Sequence, residues 1–506
     1  MTDILLTTIN ARYIHASFGL RYLMANLGEL EEHAEIREYT IRQSAEEIVL
    51  DIMSTNPKIV GLGVYIWNAD IALEVAQRLK QQPVPPHLVL GGPEVSHEMD
   101  KQEICHLADV VIGGEADKAF PTVCHALLTG ENVPHFMTAP LPHMHELRLP
   151  YYLYTADDLA HRVVYVEASR GCPFRCQFCL SSLDIPVRKP PLEQFLGEMQ
   201  DLMDRGLKHF KFVDRTFNLS PSVSEAILDF FLQRYRPGMF LHFEMVPDRL
   251  PERLKSRILA FPPGALQFEV GIQTFNDEVA ARIQRRQNIQ KTAENLTFLR
   301  TQTGVHIHSD LIAGLPGETV QSFAAGFDQL VRLNPQEIQV GVLKRLRGTP
   351  IIQHDQNFQM RYSESPPYEI IQTKDMDEKE LNHLKLFAVL WDKVANNGYF
   401  VKTLPLLLEQ GTPFMTFSGF VRAFQATTTE SYGWSLDEFE QAIFVYLTDH
   451  CHIESAQVAS RLVADRMRLH RSIPKWLRQL AAPPAEYKHS VQRPIDIPAR
   501  QARHLA

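Results

Sequence analysis

The first 130 residues alternate short apolar runs with amphipathic stretches of ten or more residues. Short apolar runs predict buried strands, and the longer amphipathic stretches predict helices. Strands that alternate with helices pair in parallel through right-handed crossovers, so this part predicts an α/β fold with an open, doubly wound parallel sheet of about five strands. The predicted strands are residues 4–9, 36–39, 59–64, 87–90 and 110–112.

Two glycine pairs follow neighbouring predicted strands, in the sequences Gly91-Gly92-Pro93-Glu94 and Gly113-Gly114-Glu115. Open α/β sheets bind ligands at the carboxyl ends of their strands, where these pairs lie. Glycine lets a planar or phosphate-bearing ligand approach the backbone closely. Tight turns explain the same pairs equally well, so the two interpretations stay open.

A second alternating unit follows a proline-punctuated, strand-poor segment that we interpret as a linker. Its six β/α units predict an incomplete, TIM-like (β/α)6 barrel that is open on one side. Beyond about residue 362 the strand pattern fades, and residues 378–396 and 435–447 have the pattern of amphipathic helices. The predicted domains are residues 1–133, a linker at 134–157, the barrel at 158–361 and a mostly helical region at 362–506. The predicted barrel strands are residues 163–166, 210–213, 240–244, 266–270, 307–312 and 338–342.

The composition predicts the cellular compartment of the protein and shows that its charge is unevenly distributed along the chain. No apolar run of membrane-spanning length and no signal-peptide pattern is present, so we expect a cytoplasmic protein. The formal net charge is −9, yet residues 461–506 carry ten Lys/Arg against three Asp/Glu. This basic tail indicates either contact with nucleic acid or, as we favour, a solvated and partly disordered terminus. Pro483, Pro484, Pro494 and Pro498 support the second interpretation.

Three of the six cysteines are clustered, at Cys172, Cys176 and Cys179. Structural zinc closes its shell with four protein ligands, and no fourth ligand lies at motif spacing, so zinc is the less favoured alternative. An iron-sulfur cube held by three cysteines leaves one iron open to a further ligand. The cluster directly follows the first predicted barrel strand, where barrels place their chemistry. We interpret the scattered Cys105, Cys124 and Cys451 as small buried hydrophobic residues.

The spacing Cys-x3-Cys-x2-Cys, with Phe178 before the last cysteine, resembles the radical S-adenosylmethionine (SAM) superfamily. The resemblance implies that the three cysteines ligate a [4Fe-4S] cluster and that SAM chelates its fourth iron. An electron from the cluster then cleaves SAM to methionine and a 5′-deoxyadenosyl radical. This chemistry needs little acid–base machinery, and we assign no catalytic side chain.

Three further segments resemble the SAM-contacting parts of that superfamily, and with Phe178 they give the predicted SAM-binding residues. Asp214 ends the second predicted barrel strand, although a structural salt bridge is the competing interpretation. Glu269 and Gln273 lie on the fourth strand, as hydrogen-bonding groups near the ribose. Ile312 and Gly314 lie on the fifth, where the apolar residue packs on adenine and the glycine also fits a turn.

A doubly wound, flavodoxin-like domain before such a barrel resembles the cobalamin-binding subgroup of the superfamily, and the domain order resembles a bacterial group within it. The resemblance implies cobalamin as a further cofactor, or a domain that has kept the fold without it. In subgroup members that ligate cobalt through histidine, the first loop has Asp-x-His-x-x-Gly. Here Tyr13 and Phe18 replace the Asp and Gly, so we favour a structural role for His15. The predicted cobalamin contacts are Val64, Tyr65, Gly91, Gly92 and Glu94.

The leading hypothesis is a cobalamin-associated radical SAM enzyme that methylates an unactivated carbon or phosphorus. A radical rearrangement or cyclisation without methyl transfer is the second. An iron-sulfur sensor or nucleic-acid-binding protein is the alternative from another class. The expected partners are an electron donor such as flavodoxin or ferredoxin and a substrate that fold analogy does not supply.

Overall fold

The computed structural model describes residues 2–427, 433–481 and 497–505. The chain forms two compact units, each assembled from separate stretches of sequence. The first contains Met1–Arg215, Lys344–Gln353 and Tyr362–Glu369; the second contains Thr216–Leu343, His354–Arg361 and Ile370–Ala506. The domain limits given above remain predictions.

A six-stranded parallel sheet with the order β2-β1-β3-β4-β5-β6 organises the amino-terminal part of the first unit. The structure confirms the predicted doubly wound sheet and adds a strand, because β6 forms inside the predicted linker and pairs with β5. The strands are β1 (Ile4–Asn10), β2 (Ala34–Thr40), β3 (Ile59–Gly63), β4 (His87–Gly91), β5 (Val110–Gly113) and β6 (Phe136–Thr138). The helices are α1 (Phe18–Ala25), α2 (Ala45–Met53), α3 (Ala69–Lys80), α4 (Glu103–Leu107), α5 (Ala119–Thr129) and α6 (Ala156–His161).

Both faces of the central strands β1, β3, β4 and β5 are covered, which explains why these strands are mostly apolar rather than alternating, whereas the edge strand β2 carries charged residues. Leu5 and Ile9 of β1 belong to one hydrophobic cluster, together with residues of α2 and α3. Ile4 and Leu6 of the same strand belong to another, together with residues of α1 and α5. Successive side chains of a strand point to opposite faces, so one apolar run supplies both clusters.

Six further strands, β7 to β12, form the second parallel sheet, and the predicted α/β class is confirmed. In the first unit β7 pairs with β8. In the second unit β9, β10, β11 and β12 pair consecutively. The strands are β7 (Val164–Val166), β8 (His209–Phe212), β9 (Phe240–Met245), β10 (Leu266–Gln273), β11 (His306–Ala313) and β12 (Glu337–Val342). The helices are α7 (Leu192–Asp204), α8 (Pro221–Gln233), α9 (Glu252–Ala260), α10 (Asp277–Arg282), α11 (Ile289–Gln302) and α12 (Val320–Leu333).

The predicted helical region is also confirmed, after two short strands, β13 (Arg361–Tyr362) and β14 (Ile370–Gln372). Single π-helical turns, Asp392–Asn396 and Tyr446–His450, continue α13 and α16. The helices are α13 (Glu378–Trp391), α14 (Leu404–Leu408), α15 (Pro413–Thr427), α16 (Leu436–Val445), α17 (Ser455–Arg468), α18 (Lys475–Leu480) and α19 (Ala499–Leu505). None of the helices in the described ranges is long and apolar enough to span a bilayer.

The described part of the basic tail is only partly solvated: Arg461, Lys475 and Arg478 are exposed, as predicted, whereas Arg466 and Arg471 are packed and paired. Arg466 is buried, and its Nε atom donates to Glu440 Oε2 at 2.7 Å. Arg471 donates to Glu440 Oε1 at 2.9 Å, so both arginines are neutralised within the second unit. Residues 482–496, with Pro483, Pro484 and Pro494, lie outside the described residues.

Candidate functional site

The three clustered cysteines lie in the loop that follows β7, in the first unit. Cys172 and Cys176 are buried, and Cys179 and Phe178 are half-buried. The backbone before Cys172 is fixed, since its N–H donates to the carbonyl of Asp184 at 3.0 Å. Gly171 has a φ of +91°, and a Cβ there would lie 2.8 Å from the same carbonyl oxygen. The backbone at the start of the cysteine loop is therefore held in one conformation.

Asp214, just after β8, accepts hydrogen bonds from the residues that lead into this loop. Its Oδ2 accepts from the backbone N–H of Ala168 at 2.9 Å, and its Oδ1 accepts from Ser169 Oγ at 2.6 Å. Burial raises the pKa of Asp214 to about 7, although both hydrogen bonds favour the ionised form. The described contacts are thus hydrogen bonds to the strand-to-loop junction rather than the salt bridge considered from sequence. They place Asp214 close to the chain that leads to Cys172.

Within the described residues, no three His, Cys, Asp or Glu side chains are gathered closely enough to hold a single metal ion. A [4Fe-4S] cube makes a different demand, because each cysteine binds a different iron and the thiolates stand further apart than around one ion. Three loop cysteines, two of them buried, fit the donor set of such a cube.

A cavity of about 280 Å³ opens at the carboxyl ends of the strands of the first sheet. Of the residues predicted to contact cobalamin, Tyr65, Gly91 and Gly92 line the cavity, whereas Val64 and Glu94 are not among its lining residues. Gly92 has a φ of +106°, and a Cβ there would lie 2.5 Å from the carbonyl oxygen of Val64. The other glycines that line the cavity are Gly19, Gly61, Gly63 and Gly114. A cavity walled by glycine and apolar side chains fits a large ligand that approaches the backbone closely.

Glu94 has a different environment from the one predicted. Its Oε1 accepts from Arg347 Nε at 2.8 Å and from the hydroxyl of Tyr368 at 2.8 Å. Arg347 also pairs with Glu98 at 3.1 Å. These residues belong to the first unit, where they attach two later chain segments to the loop after β4. Glu94 therefore fixes the conformation of that loop, and its carboxylate is turned to Arg347 and Tyr368.

His15 is engaged by Tyr165, with 2.6 Å between its Nδ1 and the tyrosine hydroxyl oxygen. Burial lowers the pKa of His15, so the neutral imidazole is favoured. His15 is not among the residues that line the cavity, whereas Phe18, the first residue of α1, is.

Arg170, which sequence reasoning missed, connects the cavity to the cysteine loop. It lines the cavity and lies two residues before Cys172. Its Nη1 donates to Glu115 and to Asp117 at 2.9 Å each, and its Nε donates to Glu167 at 2.7 Å. Burial lowers its pKa, but the carboxylates of Glu167 and Asp117 outweigh burial and raise it well above the usual value. The one sequence signal was its place between a strand end and the first cysteine.

The remaining predicted SAM contacts lie in the second unit, on β10, on β11 and just beyond β11. Glu269 contacts His242, with 3.0 Å between Oε2 and Nε2. A register shift near the end of β10 gives Gln273 a φ of +73°, and its Oε1 is buried without a described hydrogen-bond partner. Ile312 lies on β11; Gly314 follows with a φ of +84°, and a Cβ there would lie 2.6 Å from Ile370. Packing alone therefore accounts for glycine at position 314.

Asp310 was missed in the sequence. It faces the same side of the sheet as Glu269 and His308, because β10 and β11 are paired in register at these positions. Burial, together with Glu269 and Glu244, raises the pKa of Asp310 well above its usual value. Its Oδ1 is buried and has no described hydrogen-bond partner. Asp310 and Gln273 thus present unsatisfied polar atoms, which a bound ligand could satisfy.

Three family models match the chain in sequence. The B12 binding domain matches residues 4–124 and the radical SAM superfamily matches residues 166–330. The chain contains a radical SAM domain that follows a B12-binding domain. These domains imply a [4Fe-4S] cluster, SAM and cobalamin as cofactors. A family of unknown function, DUF4080, matches residues 356–497, which is most of the helical region of this chain.

Several curated proteins are similar to it. An uncharacterized methyltransferase of Pyrococcus horikoshii is 24% identical over 358 residues, covering 65% of this chain and 76% of that protein. The ribosomal protein uS12 methylthiotransferase RimO of Pelobacter propionicus is 26% identical over 194 residues, and the match spans 37% of this chain but only 43% of the relative. The 2-(S-pantetheinyl)-carbapenam-3-carboxylate methyltransferase of Streptantibioticus cattleyicolor is 24% identical over 331 residues, 59% of this chain and 48% of that one.

The fold is similar to that of the radical SAM methyltransferase TsrM from Kitasatospora setae. The TM-score is 0.57 at 15% identity, over 72% of this chain and 79% of TsrM. At that identity the similarity concerns the fold alone. It agrees with an α/β chain in which a doubly wound sheet precedes a second parallel sheet.

Proposed function

We propose that this protein is a cobalamin-dependent radical SAM methyltransferase that acts on an unactivated carbon or phosphorus atom. Its similarity to proteins named methyltransferases supports methyl transfer over rearrangement. The substrate class is not carried over from those relatives, because fold and distant similarity do not define a substrate.

The observation that carries the proposal is the position of Arg170. One guanidinium group lines the glycine-walled cavity and joins the strand end from which the cysteine loop departs. A buried cation held by three carboxylates is rigid, so the cavity and the loop are positioned together. A protein that uses both cobalamin and a cluster in one reaction needs such a connection, whereas a simple cluster sensor does not.

In this proposal Cys172, Cys176 and Cys179 hold the [4Fe-4S] cluster, while Tyr65, Gly91 and Gly92 contact cobalamin. Phe178, Asp214, Glu269, Gln273, Ile312 and Gly314 remain the proposed SAM set, to which Asp310 is added. When bound, the cluster supplies the electron that cleaves SAM, and cobalamin supplies the methyl group. The chain's own contribution is to bind these groups, to bury them from water and to orient them.

The test uses the full-length chain, reconstituted anaerobically with iron, sulfide and cobalamin. It is incubated with a one-electron donor of the flavodoxin or ferredoxin class and with SAM deuterated at its methyl group. We expect release of 5′-deoxyadenosine and transfer of the deuterated methyl group to the corrin fraction, both measured by mass spectrometry. Release of 5′-deoxyadenosine without label in the corrin would favour rearrangement or cyclisation. An intact, reducible cluster that yields neither product would overturn the proposal.

A further inference from the structure

A second cavity, of about 410 Å³, lies in the second unit between the sheet and the helical region. The sheet contributes His308 of β11 and Gln339 of β12. The helical region contributes the end of α13 and its π-helical turn, and α19 contributes Arg500. The volume is within the range of small-molecule sites.

The π-helical turn Asp392–Asn396 places its side chains against the last strand of the sheet. Asn396 accepts from the backbone N–H of Ile338 at 2.9 Å and donates to the carbonyl of the same residue at 2.9 Å. The side-chain amide of Asn396 thus satisfies the backbone N–H and carbonyl of Ile338, which a further strand next to β12 would otherwise bind. Lys393 and Asp392 of the same turn line the cavity. Single π-helical turns inside helices are frequently found at functional sites.

Lys393 differs from the other charged residues that line this cavity, because it has no ion-pair partner among the described residues. Arg500 is paired with Asp392 and with Glu337 at 2.7 Å each. Lys393 is exposed, and none of the described residues forms an ion pair with it. Asp310, two residues beyond His308 on β11, carries a raised pKa because of burial and of the acids Glu269 and Glu244, so its neutral form is favoured. Arg500 and Lys393 together offset the two carboxylates, and Lys393 is the positive group that no described carboxylate contacts.

Unsatisfied polar atoms also face this region. Arg500 Nε is buried without a described hydrogen-bond partner, and so is His308 Nε2. His308 Nε2 lies 3.4 Å from Asp310 Oδ1, which is likewise unsatisfied. Arginine nitrogens can only donate, and a neutral histidine can donate from one ring nitrogen. A ligand with acceptor oxygens would satisfy the arginine nitrogen, and the histidine nitrogen when it carries the proton.

We propose that this cavity is the substrate site and that it binds a small molecule carrying an oxyanion, either a carboxylate or a phosphate group. The inference rests on the proposed radical SAM function for the reaction, but the ligand chemistry comes from Lys393, Arg500 and His308. His308 and Glu269 are paired in register on neighbouring strands, so a ligand here lies beside a proposed SAM contact. The helical region would then determine which substrate the enzyme accepts.

The test is isothermal titration of the full-length, anaerobically purified protein with inorganic phosphate and, separately, with succinate. We expect saturable binding of at least one of the two, weakened about tenfold or more by Lys393→Ala. Lys393→Arg should retain binding because it keeps the charge. Lys379→Ala, which removes an exposed lysine of the same helix outside the cavity, should bind as the wild type does.

The two probes distinguish a phosphate site from a carboxylate site. Absence of binding by both probes, or equal binding by the wild type and Lys393→Ala, would overturn the inference. Its failure is separable from failure of the proposed function. Release of 5′-deoxyadenosine and labelling of the corrin are measured without substrate, so they can succeed where phosphate and succinate fail.

Discussion

Arg170 and Asp117 form a buried ion pair, with 2.9 Å between Nη1 and Oδ2 and side-chain exposures of 13% and 5%. Removal of one partner leaves buried charge uncompensated, which typically costs about 3–5 kcal/mol. We expect Arg170→Ala to lose about that much free energy of unfolding and to bind cobalamin poorly. The measurements are chemical denaturation and corrin absorbance after reconstitution.

Arg148→Ala is the control for this prediction. Arg148 pairs with Glu31 at 2.8 Å but is 58% exposed, so its loss should cost below about 1 kcal/mol. Equal effects of the two substitutions would show that the Arg170 network does not support the cavity.

Cys179 and Cys451 are both half-buried, so a substitution at Cys451 is a suitable control for one at Cys179. Cys179→Ala should remove the iron-sulfur absorbance after anaerobic reconstitution, because a cube held by three thiolates loses a ligand. Cys451→Ala should leave the iron content at about four per chain. Iron and sulfide analysis checks both, and a wild-type spectrum in Cys179→Ala would refute the ligand assignment.

Gly92 and Gly130 both have positive φ, at +106° and +77°, but only Gly92 is crowded. A Cβ at Gly92 would meet the Val64 carbonyl oxygen at 2.5 Å, and a Cβ at Gly130 would meet nothing within 4 Å. Gly92→Ala should therefore displace the loop after β4 and weaken cobalamin binding about tenfold or more. Gly130→Ala should cost only the backbone strain of about 1–2 kcal/mol and leave cobalamin binding unchanged.

Asp214 gives a pH dependence with a defined sign. Its pKa is raised from 3.8 to about 7, so the folded protein keeps a proton that the unfolded chain releases. The resulting stabilisation is complete below pH 3.8 and is lost as the pH rises towards about 7. Between about pH 5.5 and about pH 8 the contribution should fall by on the order of 2 kcal/mol.

Asp214→Asn tests this dependence, because it keeps an acceptor for Ser169 and cannot ionise. Denaturant unfolding at both pH values should show a smaller loss of stability in the variant than in the wild type. An identical loss of stability between the two pH values in the variant and the wild type would mean that Asp214 does not titrate in this range.

The positions of most strands followed from sequence because they are local consequences of burial. Both faces of β1 and β3 are covered, so each strand is rich in buried apolar residues on both faces, even though Thr7 and Thr8 lie within β1. β6 was missed because its three residues lie among prolines and are partly exposed, which leaves little hydrophobic signal. The cysteine spacing and the glycine pairs could also be recognised in the sequence, because their chemistry depends on residues that are close together along the chain.

What only the tertiary structure decided is which distant charges meet. The position of Glu94 after β4 predicted a cobalamin contact, but Arg347 lies beside it although 253 residues separate them in sequence. Arg170, Asp310 and Lys393 belong to no local motif; burial and neighbouring strands or turns give each its role. Periodicity determines an element from its own residues, whereas the electrostatics of a buried site depend on side chains brought together from separate elements.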